Sequence, residues 1–214
     1  MKVGIIGSGP VGQSLAKAFK AEGHSVTLGT RNTSNENVIK FKQDTGIAVA
    51  DFAETAKTAE LIVLATKGSA AEAAVGLAGV ENFRNKIVID TTNPVLEGPP
   101  SNGVLHFFTS LEGSLMEKIQ NQIPDAKLVK SFNSVGNTCM YKPNFPGGKP
   151  TMFICGNDEN AKKTVTGILT AFGWETEDMG MAEAARAIEP LCILWCIPGF
   201  LRNQWSHAFK LLKM

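Results

Sequence analysis

A doubly wound α/β fold, with a mainly parallel sheet and a small C-terminal helical extension, is what the 214-residue sequence predicts on three observations. Short apolar runs alternate with amphipathic helical stretches as far as about position 178, the rhythm of strands joined by crossover helices. One run, Leu61-Ile-Val-Leu-Ala-Thr66, is apolar without alternation, as a strand covered on both faces must be. The third observation is the turn Gly7-Ser8-Gly9-Pro10-Val11-Gly12, which follows the first apolar run directly.

Gly7, Gly9 and Gly12 fall on the G-x-G-x-x-G spacing, between a strand over 3–6 and a helix over 10–22, with a second strand over 25–29 behind them. Each glycine has its own reason: a tight turn, close approach of backbone N–H groups to a pyrophosphate, and close packing of helix on strand. Pro10 falls in the first helical turn, where its missing N–H costs nothing, and the positive end of the helix points at the phosphates. The complete βαβ setting makes this a dinucleotide site.

Strand two ends in Gly29-Thr30-Arg31-Asn32, where an NAD-specific fold places an acid on the ribose 2′-hydroxyl. No acid stands there. Thr30 offers a hydroxyl, Arg31 a guanidinium suited to a phosphate monoester, and Asn32 further donors, so NADP(H) is the expected cofactor.

A helix over 36–44 and a short strand over 47–50 follow, and Asp51 with Glu54 has the spacing of a capping box. After the strand over 61–66, Thr66 and Lys67 sit where ligands of open α/β sheets bind; they are candidates for the cofactor's phosphates or ribose, against solvated turn residues. A helix over 69–77 leads to a strand over 86–90 that closes on Thr91-Thr92-Asn93-Pro94. The proline holds Asn93 extended, and Thr92, Asn93 and Pro94 suit the nicotinamide ribose. The segment over 94–103 reads as a surface excursion on the substrate side. A helix over 114–123, a strand over 126–132 ending at Asn133, a loop over 138–150 with the composition of a lid, and a last strand, helix and strand over 152–155, 158–172 and 174–178 complete six strand-plus-helix units in one sheet.

These units define an expected dinucleotide-binding domain over 1–178 and a helical segment over 179–214. In the latter, apolar residues at helical spacing are interrupted by Pro190, Pro198 and Gly199, which predicts two helical pieces with a bend. Trp195, Phe200 and Trp205 favour a subunit interface and pocket wall over a simple helix packed on the sheet.

Composition narrows the function classes. A net charge of +1, from 21 Lys and Arg against 20 Asp and Glu, gives no field for nucleic acid. Met1 and Lys2 lead directly into the first strand, and no apolar stretch is read as reaching the roughly 20 residues that span a bilayer. A cytoplasmic protein without a membrane partner is the expectation. Cys139, Cys155, Cys192 and Cys196 form no C-x-x-C pair and read as reduced thiols, Cys192 and Cys196 as core residues rather than a metal site.

Gly7-Ser-Gly-Pro-Val-Gly12, Gly29-Thr-Arg-Asn32, Asp90-Thr-Thr-Asn-Pro94, Lys130-Ser-Phe-Asn133 and Glu189-Pro-Leu191 together resemble the NADPH-dependent oxidoreductases of the deazaflavin coenzyme F-420, in order and spacing over nearly the whole chain. Lys130-Ser-Phe-Asn133 is also similar to the NADPH-flavin domain of membrane metalloreductases. The resemblance implies a Rossmann domain with a small helical part, a homodimer, NADP(H) across the strand ends, Thr30 and Arg31 on the 2′-phosphate and Asn133 beside the nicotinamide. It implies a small-molecule hydride acceptor, coenzyme F-420 or a flavin.

Hydride transfer between a nicotinamide and a flavin-like ring needs stacking and little else from the protein. A small carbonyl or imine would need a proton donor, for which His106, Lys130 and Tyr141 are the candidates. A redox sensor that binds NADP(H) without turnover is the competing class.

Overall fold

The computed structural model describes all 214 residues. Strands β1 (Lys2–Ile6), β2 (Ser25–Gly29), β3 (Ala48–Ala50), β4 (Leu61–Leu64), β5 (Ile87–Asp90) and β6 (Lys127–Lys130) form one sheet in the order β3-β2-β1-β4-β5-β6, every neighbouring pair parallel. The chain winds outward from β1 to β3 and then crosses back to β4. That reversal opens a crevice above the carboxyl ends of β1 and β4, the binding position of open α/β sheets.

Five helices cross between these strands or cover them: α1 (Pro10–Ala21), α2 (Glu36–Thr45), α3 (Phe52–Thr58), α4 (Ala71–Ala78) and α5 (Leu115–Gln122). Two apolar cores result. Val3, Ile5, Leu61 and Val63 belong to one, and Ile6, Ile62 and Leu64 to the other. Successive side chains of β4 thus enter opposite cores, which is why its sequence shows no polar alternation.

Helix starts follow the caps in the sequence with one difference. Asp51 accepts from Glu54 N at 2.8 Å, the cap half of the expected box, whereas the reciprocal box forms at Ser114 and Glu117 before α5.

The single sheet expected through position 178 divides in two. β7 (Thr151–Ile154) and β8 (Glu175–Asp178), joined by α6 (Glu159–Ala171), pair in parallel with each other only. They meet the main sheet at an antiparallel bridge between Lys130 and Cys155. The reversed direction prevents a parallel ladder from continuing past β6. The free edge of β7 is covered instead by the chain's end, with Thr151 N donating to Phe209 O at 2.9 Å and Leu211 N to Thr151 Oγ1 at 3.1 Å.

The C-terminal segment forms α7 (Ala185–Ile188) and α8 (Leu191–Arg202), joined at Glu189-Pro190. Pro190 caps α8, where it displaces no hydrogen bond, and Pro198 lies inside the helix. The stretch Ala182–Arg202 is therefore a helical run of 21 residues, long and apolar enough by composition to cross a membrane. This corrects the expectation that no apolar stretch reaches that length, which treated both prolines as breaks. Beyond Asn203 the chain folds back, and the Trp205 ring lies over Gly199, where a Cβ would approach it to 2.3 Å.

Candidate functional site

Two adjoining cavities of about 950 and 620 Å³ lie over the switch point and share Gly9, Pro10 and Ala65–Lys67. The turn between them shows why three glycines stand there. Gly7 has φ +126°, and a Cβ on it would lie 2.3 Å from Ala65 O. On Gly12 a Cβ would lie 1.9 Å from Gly7 O, so α1 could not seat on the turn. Gly9 has nothing within 4 Å of that position; it faces the cleft and leaves the start of α1 open to a pyrophosphate. Ser8 and Pro10 line the cleft, and Val11 lines its smaller cavity.

The larger cavity reaches the end of β2. Ser8 Oγ donates to Thr30 Oγ1 at 3.1 Å, and Thr30 is 5% exposed, so the turn and strand two are linked beneath the site. Arg31 is exposed on the cavity wall, and Asn32 uses its Oδ1 to receive Ser34 N at 2.9 Å. Lys17, Arg31, Lys40 and Lys67 line this cavity against Asp44, a positive surround suited to a phosphorylated ligand. Lys17 and Lys40 were not read from sequence: a lysine on an amphipathic helix carries no sign of which cleft its exposed face borders.

Val11, Thr66, Thr92 and Asn93 line the smaller cavity. Thr66 Oγ1 is buried at this cavity without a hydrogen-bond partner within the protein. Lys67 pairs with Glu97 at 3.4 Å across the mouth, with side chains 80% and 75% exposed. Pro94 is buried directly behind Asn93. The excursion after it is more regular than its composition suggests, with antiparallel bridges Val95–Phe107 and Ser101–Val104, and its Gly103 packs against Leu201 of α8.

Asn133 is 3% exposed and stands one layer behind the cavity wall. Its Nδ2 donates to Asn93 Oδ1 at 3.2 Å and Ile188 O at 2.9 Å, while Asn93 Nδ2 donates to Asn133 O at 2.7 Å. Beside this pair lies an ion cluster that sequence reasoning did not assemble. Lys130, fully buried, reaches Asp90 at 2.6 Å, Glu189 at 2.9 Å and Thr92 O at 2.9 Å. Burial alone would lower the Lys130 pKa, but the two carboxylates outweigh it and raise it, so the ammonium persists. Its signal in the sequence is a lysine closing an apolar strand beside an aspartate that closes another.

Lys130 is thereby removed from the proton-donor candidates, its three N–H bonds being directed at these acceptors. Tyr141 donates to Glu22 Oε1 at 2.8 Å, at the opposite end of α1 from the cleft, about 18 Å of helix away. The start of the 138–150 loop is anchored there as well, by Lys142 N to Phe172 O at 2.7 Å and Trp174 Nε1 to Met140 O at 3.0 Å. His106 lies on the excursion, with Nε2 2.8 Å from Ser101 Oγ.

Residues 2–94 match the model of a family described as "NADP oxidoreductase coenzyme F420-dependent". The structure of a candidate F420-dependent NADP reductase from Arthrobacter sp. FB24 is 32% identical, with TM-score 0.93 and full coverage of both chains. The metalloreductase STEAP3 of Rattus norvegicus is 30% identical over 94% of this chain, which spans 39% of that relative's length. The F420-dependent NADP reductase of Methanocaldococcus jannaschii is 25% identical over 89% of each chain.

Proposed function

The chain belongs to the coenzyme F420-dependent NADP oxidoreductase family, and from that premise we propose that it passes hydride between NADP(H) and a deazaflavin or another flavin-like ring. Bound NADPH supplies the hydride from its nicotinamide. The protein's part is alignment.

In this reading Gly7, Ser8, Gly9, Pro10, Val11 and Gly12 form the pyrophosphate turn, and Thr30, Arg31 and Asn32 receive the 2′-phosphate. Thr66 and Lys67 meet the middle of the cofactor. Thr92, Asn93 and Pro94 form the wall beside the nicotinamide, with Asn133 holding Asn93 from behind. Residues 1–178 act as the NADP-binding domain and 179–214 as pocket wall and interface.

One observation carries the choice of acceptor. The titratable side chains lining the smaller cavity are Lys67 and Glu97, paired to each other and largely in solvent. A carbonyl acceptor needs a placed acid, whereas two stacked ring systems need only a shaped and dry contact. NADPH oxidation measured side by side with the deazaflavin coenzyme, FMN, FAD and simple carbonyls tests this. Fast turnover with a flavin-like ring is expected. Turnover on carbonyls without flavin would overturn the acceptor, and tight NADP binding without any turnover would make the protein a sensor.

The same reading includes a soluble, cytoplasmic homodimer. Leu194, Phe200 and Leu201 of α8 are 55%, 45% and 54% exposed, an apolar face suited to a second copy. Sedimentation equilibrium should give twice the chain mass; a monomer would remove this part of the proposal.

A further inference from the structure

We propose that Glu189 is a positioning residue for hydride transfer: through Lys130 it immobilises Thr92 and Asn93, so that docking of the C-terminal segment shapes the wall against which the nicotinamide lies. The proposal rests on the placement of the nicotinamide at Asn93 given above.

Thr92 is the first residue of the wall. All three of its polar groups are held by the buried cluster. Its N–H and hydroxyl donate to Asp90 Oδ1 at 2.9 and 2.7 Å, and its carbonyl receives Lys130 Nζ at 2.9 Å. On the other side, the Asn93 carbonyl presses against Gly68, where a Cβ would lie 1.8 Å from it. The peptide leading into the wall is thus fixed from both sides.

Glu189 completes this arrangement from a distant part of the chain. Its carboxylate takes Lys130 at 2.9 Å and also receives Leu115 N and Met116 N, both at 3.0 Å, from the first turn of α5. The preceding residue, Ile188, receives Asn133 Nδ2, and Asn133 in turn holds the Asn93 amide. Two adjacent residues of the C-terminal segment therefore reach the same wall by two routes. Attachment alone does not require the cluster. Arg186 already ties the segment to Glu117 at 2.6 Å, while Ala185 and Ile188 enter the core. A buried ion cluster is a poor source of stability compared with apolar packing, but it holds directions sharply.

The test compares NADPH with 2′-phospho-ADP-ribose, which lacks the nicotinamide, by calorimetric titration of the full chain. Wild type should bind NADPH more tightly. Glu189→Gln, in which an amide cannot accept from both N–H groups and Lys130, should lose most of that advantage, about tenfold, with 2′-phospho-ADP-ribose affinity within about twofold. Its kcat with FMN should fall by about tenfold at saturating NADPH. Arg186→Ala, which loosens the same segment outside the cluster, should keep both the advantage and kcat.

An unchanged NADPH advantage in Glu189→Gln would overturn the proposal. So would equal losses in Glu189→Gln and Arg186→Ala, which would mark the cluster as attachment only. If wild type bound both ligands equally, the nicotinamide placement itself would fall, and the proposal with it. Should Glu189→Gln not fold, the neutral variant Asp90→Asn/Lys130→Met/Glu189→Gln leaves no unpaired buried charge and is judged by the same criteria.

Discussion

Asn133 and Asn93 exchange hydrogen bonds, Nδ2 of Asn93 to the Asn133 carbonyl at 2.7 Å and Nδ2 of Asn133 to Asn93 Oδ1 at 3.2 Å, so a residue forty positions away braces the wall of the smaller cavity from behind. Only Asn93 lines that cavity. Replacing Asn133 by Leu removes the support and leaves Ile188 O without its partner. Turnover should fall about tenfold, with NADPH affinity reduced by no more than the about tenfold expected of Glu189→Gln. Steady-state kinetics with a fluorescence titration of NADPH checks this, and an unaffected rate would detach Asn133 from the reaction.

Arg31 is exposed and free to meet a phosphate at the end of β2. Arg31→Ala should weaken NADPH by about 10- to 100-fold, the worth of a charge-assisted contact, and NADH by less than about threefold. Comparable losses for the two cofactors in parallel titrations would sink the phosphate assignment.

The turn glycines separate folding from binding. At Gly12 a Cβ would lie 1.9 Å from Gly7 O, so Gly12→Ala should cost about 1–3 kcal/mol or prevent folding. At Gly9 the same Cβ meets nothing within 4 Å, so Gly9→Ala should keep its Tm within about 3 °C while losing at least about tenfold in NADPH affinity. Thermal melts with and without NADPH distinguish the two; a destabilised Gly9→Ala protein would contradict the open cradle.

Glu117 carries a pH signature. Arg186 is the chief cause that lowers its pKa from 4.5 to about 2, with burial opposing and Ser114 assisting. A depressed folded-state pKa stabilises the protein above the unfolded value and loses that stabilisation as pH falls from about 4.5 through about 2. Acid titration of the Tm should therefore show a decline in this window that is shallower in Glu117→Gln. An identical decline in both proteins would show that Glu117 takes up its proton over the same pH range in the folded and unfolded states, and the ion pair with Arg186 would then not hold its pKa down. Partial exposure of Arg186 keeps the effect below what the shift alone implies.

Much of this was legible in residue order. The strand-helix rhythm located the parallel sheet because burial periodicity is local: Leu61 through Leu64 must be apolar throughout when both faces are covered. The turn was equally legible, since only glycine tolerates φ +126° at Gly7 and a backbone oxygen 1.9 Å from a Cβ at Gly12. Thr30 and Arg31 could be placed because strand two must end beside that turn.

The rest depended on contacts between distant parts of the chain. Whether β7 joins the main sheet is decided by its direction against β6 and by Phe209 covering its edge, neither of which is written in the strand's own residues. The sequence by itself determined the cofactor class and the glycine turn, through constraints acting within a few residues. Only the tertiary structure decided that Asp90, Lys130 and Glu189 meet out of water: each charge is ordinary at its own position, and its burial becomes tolerable only where three separate segments bring opposite charges and backbone donors together.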